Sequence, residues 1–212
     1  MSCCSNDQKF DGASVAYRRA LWAVILINLV MFAVEITAGF ASGSQALKAD
    51  ALDFAGDTMT YTISLLVIGS SLALRARAAL FKGGLLFVIA VSVLGMTLMR
   101  ALSGEPPTAE TMSIVGFVAL LANVASVLIL LKWRDGDANV RSVWLCSRND
   151  AIGNIGVMIA GGLVALTGSA WPDLVLAFAL AALFARSAWS ICTQALDELR
   201  RDNHAIAEAG DS

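Results

Sequence analysis

Three aspartates lie close together in an otherwise apolar stretch, ADALDFAGD, which ends at Asp57. Asp50, Asp53 and Asp57 are spaced by three and then four residues, so that on an α-helix all three lie on one face. A carboxylate near the centre of a bilayer costs about 2.5–3.5 kcal/mol on insertion scales. A membrane helix that carries Asp53 and Asp57 therefore needs protons, a cation or polar partners, and we expect a divalent metal.

The composition predicts a membrane protein. The chain has 212 residues, of which 58% are hydrophobic and only 15% are charged, whereas soluble domains contain about 25% charged residues. At about 20 residues per span the length accommodates roughly six membrane helices and leaves no room for a sizeable soluble domain. The net charge of −2 argues against a nucleic-acid partner, because phosphates require a basic excess.

The apolar runs place six spans between short polar connections. Asn28 and Glu35 interrupt the first span and share a face of it. Polar residues precede that span without a cleavage pattern, so we expect a retained span and no signal peptide. The predicted domains are a cytoplasmic tail, a six-helix transmembrane domain and a short cytoplasmic tail, over residues 1–17, 18–195 and 196–212. The six spans are predicted at about residues 20–40, 46–74, 79–102, 111–131, 142–166 and 174–195.

Basic residues are distributed very unevenly between the two sets of connections. Arg18, Arg19 and most other lysines and arginines fall on one side, whereas Lys48 and Arg100 fall on the other. Basic residues concentrate on the cytoplasmic side of membrane proteins. The sequence therefore predicts an all-α, multi-pass protein of the cell (inner) membrane, a six-transmembrane-helix bundle with both termini cytoplasmic.

The predicted fifth span has a polar interruption of its own, WLCSRNDAIGN. Cys146, Asp150 and Asn154 are each four residues apart and stack along one helix face. If the second and fifth helices pack together, Asp53, Asp57, Cys146 and Asp150 can converge on one cation. Three carboxylates and one thiolate suit tetrahedral zinc, and the sulfur would also accept cadmium. Magnesium and calcium prefer more numerous oxygen ligands.

Several of these residues also have an ordinary structural interpretation. Cys146 can be a small buried apolar residue, and Asn154 can replace it in an oxygen-rich site or serve only helix packing. Asp50 can be a solvated or capping residue near the interface, and it is expected to support the site without being a ligand. Cys3 and Cys4 either capture metal on the cytoplasmic side or belong to a tail without a role.

The two acidic segments resemble those of the cation diffusion facilitator family. GSQALKADALDFAGD is similar to the family's second helix, with Asp53 and Asp57 in its two ligand positions. CSRNDAIGNIGVMIAG is similar to the fifth helix, with Asp150 in the aspartate position and Cys146 where histidine is usual. The resemblance extends from about Arg18 to Ala195 and includes the order of the spans.

The resemblance implies a divalent metal cation/proton antiporter that exports zinc-like ions, with cadmium or cobalt as further substrates, from the cytoplasm. The metal would be transported cargo and not a cofactor, and the partners would be protons, the bilayer and a second copy of the chain in a homodimer. Two departures stand out. The chain resembles a short form without the family's C-terminal cytoplasmic domain, and its loop of residues 132–141 has no histidine.

Two other function classes fit the same polar residues. The chain can be a membrane-embedded interaction or metal/redox-sensing subunit without transport activity, in which the polar faces bind partner helices and the cysteines respond to oxidation. It can also be an intramembrane hydrolase with paired carboxylates that activate water, although no substrate groove is evident. We expect no enzymatic activity.

Overall fold

A computed structural model of the chain describes residues 14–66, 72–103, 105–135 and 138–210. All regular structure in these ranges is helical, which confirms the all-α prediction. A short 3₁₀-helix at Leu131–Trp133 follows α4. The α-helices are α1 (Val15–Ser42), α2 (Gln45–Leu66), α3 (Leu72–Ser103), α4 (Ala109–Leu130), α5 (Ala138–Thr167) and α6 (Trp171–Gly210).

Five of these helices contain a segment that is long and apolar enough to cross a membrane. The segments lie at Val15–Ser42, Ala76–Leu102, Ala109–Trp133, Ser147–Thr167 and Trp171–Asp197. The exception is α2, which carries Lys48 together with the three aspartates. It is enclosed by packing against α1, α3, α5 and α6, so its polar residues are shielded by protein.

The helices pack chiefly in three pairs, α1 with α2, α4 with α5 and α3 with α6. One end of the bundle, here the proximal end, gathers residues from the start of α1, the end of α2, the end of α4 and the start of α5 around Tyr17, Leu65, Leu130 and Val143. The opposite, distal end holds the α1–α2 turn, where the amide of Thr108 donates to the carbonyl of Ser42 at 3.0 Å.

Gly43 and Asp173 shape the distal end. Gly43 ends α1 with a φ of 75°, a left-handed conformation that glycine adopts without strain. The carboxylate of Asp173 on α6 then caps α2 from a distant part of the sequence. It accepts hydrogen bonds from the Ser44 hydroxyl at 2.5 Å, the Gln45 amide at 2.8 Å and the Ala46 amide at 3.0 Å. Asp173 therefore fixes the start of the acidic helix to α6.

One predicted helix boundary is wrong. Residues 72–74 belong to α3 and not to the second span, because the helix that contains Arg77 begins before the arginines that were expected to form the connection. Beyond its membrane-length segment at Trp171–Asp197, which agrees with the sixth span predicted at about residues 174–195, the last helix continues as far as Gly210. Alanine, leucine, glutamate and arginine favour helix, and no proline or glycine interrupts this segment before Gly210.

Candidate metal site

The acids of α2 and α5 face each other in the middle of the bundle. The Asp150 carboxyl group on α5 lies within hydrogen-bonding reach of the carboxyl groups of both Asp53 and Asp57 on α2. All three side chains are partly buried. The structure thus brings together the three aspartates that the two sequence segments suggested. We call them the carboxyl cluster.

Tyr61 supports the carboxyl cluster from its proximal side. Its side chain is fully buried, and its hydroxyl donates to Asp57 Oδ2 one helical turn away. The same hydroxyl lies 3.5 Å from the carbonyl oxygen of Val143 on α5. Tyr61 therefore orients the Asp57 carboxylate and marks the register in which α2 and α5 meet.

The fourth predicted ligand, Cys146, lies on α5 one turn before Asp150, and its side chain falls outside the described part of the chain. Among the side chains that are described, no three histidines, cysteines or acids are grouped closely enough to hold a metal ion. The carboxyl cluster consists of neighbouring acids and is not a formed coordination shell. Cys3 and Cys4 lie outside the described residues.

Asp50 is not solvated, and it does not cap α2. Its side chain is only 3% exposed, and its carboxyl group lies within hydrogen-bonding reach of that of Glu35 on α1, which is fully buried. The capping role belongs to Asp173. The pairing of Glu35 with Asp50 was not predicted, although the short α1–α2 connection contained the signal. A short connection makes α1 and α2 antiparallel neighbours, and Glu35 and Asp50 lie at similar distances along the sequence from this turn.

Asn154 lies on α5 one turn beyond Asp150 and is fully buried. Neither its amide nitrogen nor its carbonyl oxygen has a hydrogen-bond partner within the described ranges. A packing role through interhelical hydrogen bonds is therefore not observed for this side chain. An unpaired buried amide costs about 1–3 kcal/mol per group.

Sequence comparisons identify the family of this chain. Residues 21–200 match the family model described as the cation efflux transmembrane domain. The chain belongs to the cation efflux family. This result confirms the resemblance found in the two acidic segments, and the apolar helices of a family member make the chain a multi-pass protein of the cell (inner) membrane.

Curated relatives of this family member are metal transporters. The zinc transporter ZitB of Escherichia coli (strain K12) is 30% identical over 195 residues, which cover 86% of this chain and 62% of the relative. The metal cation efflux system protein CzcD of Cupriavidus metallidurans is 26% identical over 195 residues, covering 85% and 61%. A cadmium, cobalt and zinc/H(+)-K(+) antiporter of Bacillus subtilis (strain 168) is 25% identical over 189 residues, covering 79% and 60%.

The chain therefore spans a little over three fifths of the length of these relatives. The family model covers residues 21–200, which include the carboxyl cluster, and it describes a transmembrane domain. The family is one of transporters, in agreement with a metal that is cargo and not a cofactor.

Proposed function

We propose that this protein exports zinc-like divalent cations from the cytoplasm in exchange for protons, and that Asp53, Asp57 and Asp150, together with Cys146, bind the cation. The observation that carries the proposal is the approach of the Asp150 carboxyl group to those of Asp53 and Asp57 inside the bundle. Carboxyl groups this close need either a shared proton or a cation between them. Membership of the cation efflux family supports the second of these alternatives, a bound metal cation.

The exchange follows from the chemistry of the carboxyl cluster. A bound divalent cation stabilises the ionised carboxylates, whereas its departure leaves like charges close together in a medium of low polarity. Protonation then removes the repulsion, so that metal and protons compete for the same oxygens. On the outer side the metal leaves as protons from that side replace it, and on the cytoplasmic side the protons leave as metal binds. This exchange couples export to the proton gradient when the helices alternate between two arrangements.

Zinc is the proposed principal substrate, with cadmium and cobalt as further ones. Three carboxylates and one thiolate form the four-ligand set that zinc prefers, and a sulfur ligand also suits cadmium. The Escherichia coli relative is named as a zinc transporter, and the Bacillus subtilis relative is named for cadmium, cobalt and zinc. We propose the same metals as substrates of this chain.

The proposed topology has six spans and both termini in the cytoplasm. The start of α1 lies with the end of α2 and the end of α4 at the proximal end, whereas the start of α6 meets the α1–α2 turn at the distal end. Since α6 runs away from the distal end, the start of α1 and the end of α6 both point to the proximal side, which supports two cytoplasmic termini. Tails at 1–17 and 196–212 and a homodimer formed by the membrane helices complete the proposal.

The experiment is zinc flux into proteoliposomes that carry a proton gradient. Asp57→Ala removes one carboxylate from the carboxyl cluster, and we expect flux to fall to the level of empty liposomes. Asp197→Ala is the matched control, because Asp197 lies on α6 at an exposed position with only a 4.0 Å contact to Arg200. Flux that survives Asp57→Ala at the rate of the control would overturn the proposal.

The result also separates transport from the competing interaction or sensing role. A scaffold or sensor needs no net movement of metal across the bilayer, so the wild-type protein would then give no flux above that of empty liposomes. An inactive wild type that still binds zinc would favour sensing over export.

A further inference from the structure

A second group of polar side chains lies beyond the carboxyl cluster, toward the distal end. Both carboxylate oxygens of Glu35, the Oδ2 atom of Asp50 and both polar atoms of the Asn154 amide are buried. Within the described residues none of these atoms has a hydrogen-bond partner apart from the approach of the two acids to each other. Buried polar groups are normally paired, so unpaired groups on three helices require an explanation.

The packing of α1 against α2 sets Glu35 opposite Asp50. Met31 and Phe54 belong to one apolar cluster, and Ala38 packs against another that contains Ala46 and Leu47. Between these two levels the antiparallel helices bring Glu35 to Asp50. The two acids come from different helices and meet in a part of the bundle that is closed to solvent.

The packing of α5 against α2 sets Asn154 at the same level. The Asp150 carboxyl group meets Asp53, and Val157 and Leu47 belong to the same apolar cluster one layer closer to the distal end. Asn154 lies between Asp150 and Val157 on this face of α5, and Asp50 lies between Asp53 and Leu47 on α2. Helical spacing therefore puts Asn154 at about the level of the two acids.

We propose that Glu35, Asp50 and Asn154 form a second cation site, through which an exported divalent metal passes between the carboxyl cluster and the distal side of the membrane. This inference rests on the proposed function. Asp50 lies about 10 Å along the helix axis from Asp57 and about 5 Å from Asp53, so a cation that leaves the carboxyl cluster reaches this site in one short step.

The chemistry of the second site differs from that of the carboxyl cluster with Cys146. Glu35, Asp50 and Asn154 would bind the cation through oxygen atoms only. The Asn154 carbonyl oxygen, which has no hydrogen-bond partner within the described residues, would be the third ligand. Oxygen ligands bind hard cations and release zinc more readily than a shell that contains a thiolate. A site that binds the metal more weakly, between the carboxyl cluster and the distal side, would favour release of the metal there.

The test is equilibrium binding of zinc to the purified full chain, with Cys3→Ser and Cys4→Ser in every variant to remove tail thiols. We expect two classes of site, one removed by Asp57→Asn with Asp150→Asn and the other removed by Glu35→Gln with Asp50→Asn. These changes preserve side-chain size and remove charge from buried positions. Asp197→Asn, on the exposed face of α6, serves as the matched control and should retain both classes.

The two possible failures have different signatures. If Glu35→Gln with Asp50→Asn retains both classes of zinc site, the second site is wrong and the proposed function stands. If Asp57→Asn with Asp150→Asn retains both classes, the carboxyl cluster is not a metal site and the proposed function fails.

Asn154→Asp provides an independent test that requires no loss of binding. An added carboxylate should tighten the weaker class by about tenfold, because ligand charge sets the affinity of oxygen sites, and should leave the stronger class unchanged. An unchanged weaker class would exclude Asn154 from the site. If the polar group instead holds only protons, zinc titration of every variant will lack the weaker class, which also overturns the proposal.

Discussion

Asp173→Ala is predicted to destabilise the protein through the acidic helix, although Asp173 lies on α6. The Asp173 side chain is 1% exposed and accepts hydrogen bonds from the Ser44 hydroxyl and from the Gln45 and Ala46 amides at 2.5, 2.8 and 3.0 Å. Loss of a helix cap typically costs about 1 kcal/mol and up to about 2. Bonds to a charged group are each worth about 1.5–3 kcal/mol.

Removing the carboxylate leaves two buried amide groups without an acceptor, since the first amides of a helix have no intrahelical partner. We therefore expect the free energy of unfolding to fall by about 3 kcal/mol. At about 2–4 °C per kcal/mol for a chain of this size, Tm falls by roughly 6–12 °C. Asp173→Asn retains one carbonyl oxygen as an acceptor and should lose about half as much.

The assay is thermal unfolding of the purified protein followed by tryptophan fluorescence. Asp197→Ala is the matched control on the same helix, because its exposed contact with Arg200 at 4.0 Å is worth at most about 1 kcal/mol. If Asp173→Ala unfolds at the same temperature as Asp197→Ala, Asp173 does not hold the start of α2 in place.

Two further predictions concern other positions. Gly43→Ala should lower stability by about 1 kcal/mol or more, because Gly43 has a φ of 75° and a Cβ there would lie 2.6 Å from Arg100 Nη2. Thermal unfolding measures this loss, and an unchanged Tm would show that the turn relaxes. Cys146→Ser should weaken cadmium binding more than cobalt or manganese binding, because the thiolate is a soft ligand. Equal losses in a competition titration would exclude the sulfur from the site.

The carboxyl cluster could be predicted from the sequence because its members follow helical spacing. Asp53 and Asp57 are one turn apart, and an acid in membrane surroundings must meet a partner from another helix. Asp150 lies in the polar interruption of the predicted fifth span, where Cys146, Asp150 and Asn154 share one helix face. The contact with Asp57 therefore follows from periodicity and from the cost of burying charge.

The role of Asp173 could not be predicted in this way. Its partners precede it by more than 120 residues, and the segment TGSAWPD indicates only a turn before a helix. A cap supplied by a distant helix leaves no local pattern, so Asp50 was given a possible capping role that belongs to Asp173. Helix boundaries at charged residues were also unreliable, since arginines and glutamates that suggest an interface are good helix formers.

The most direct test of metal/proton exchange is the release of protons when zinc is added to the purified protein in weakly buffered solution. The account predicts release that saturates with zinc binding, because the metal displaces protons from Asp53, Asp57 and Asp150. Asp57→Ala should lose most of this release, whereas Asp197→Ala should retain it. Zinc binding without proton release by the wild-type protein would contradict the account.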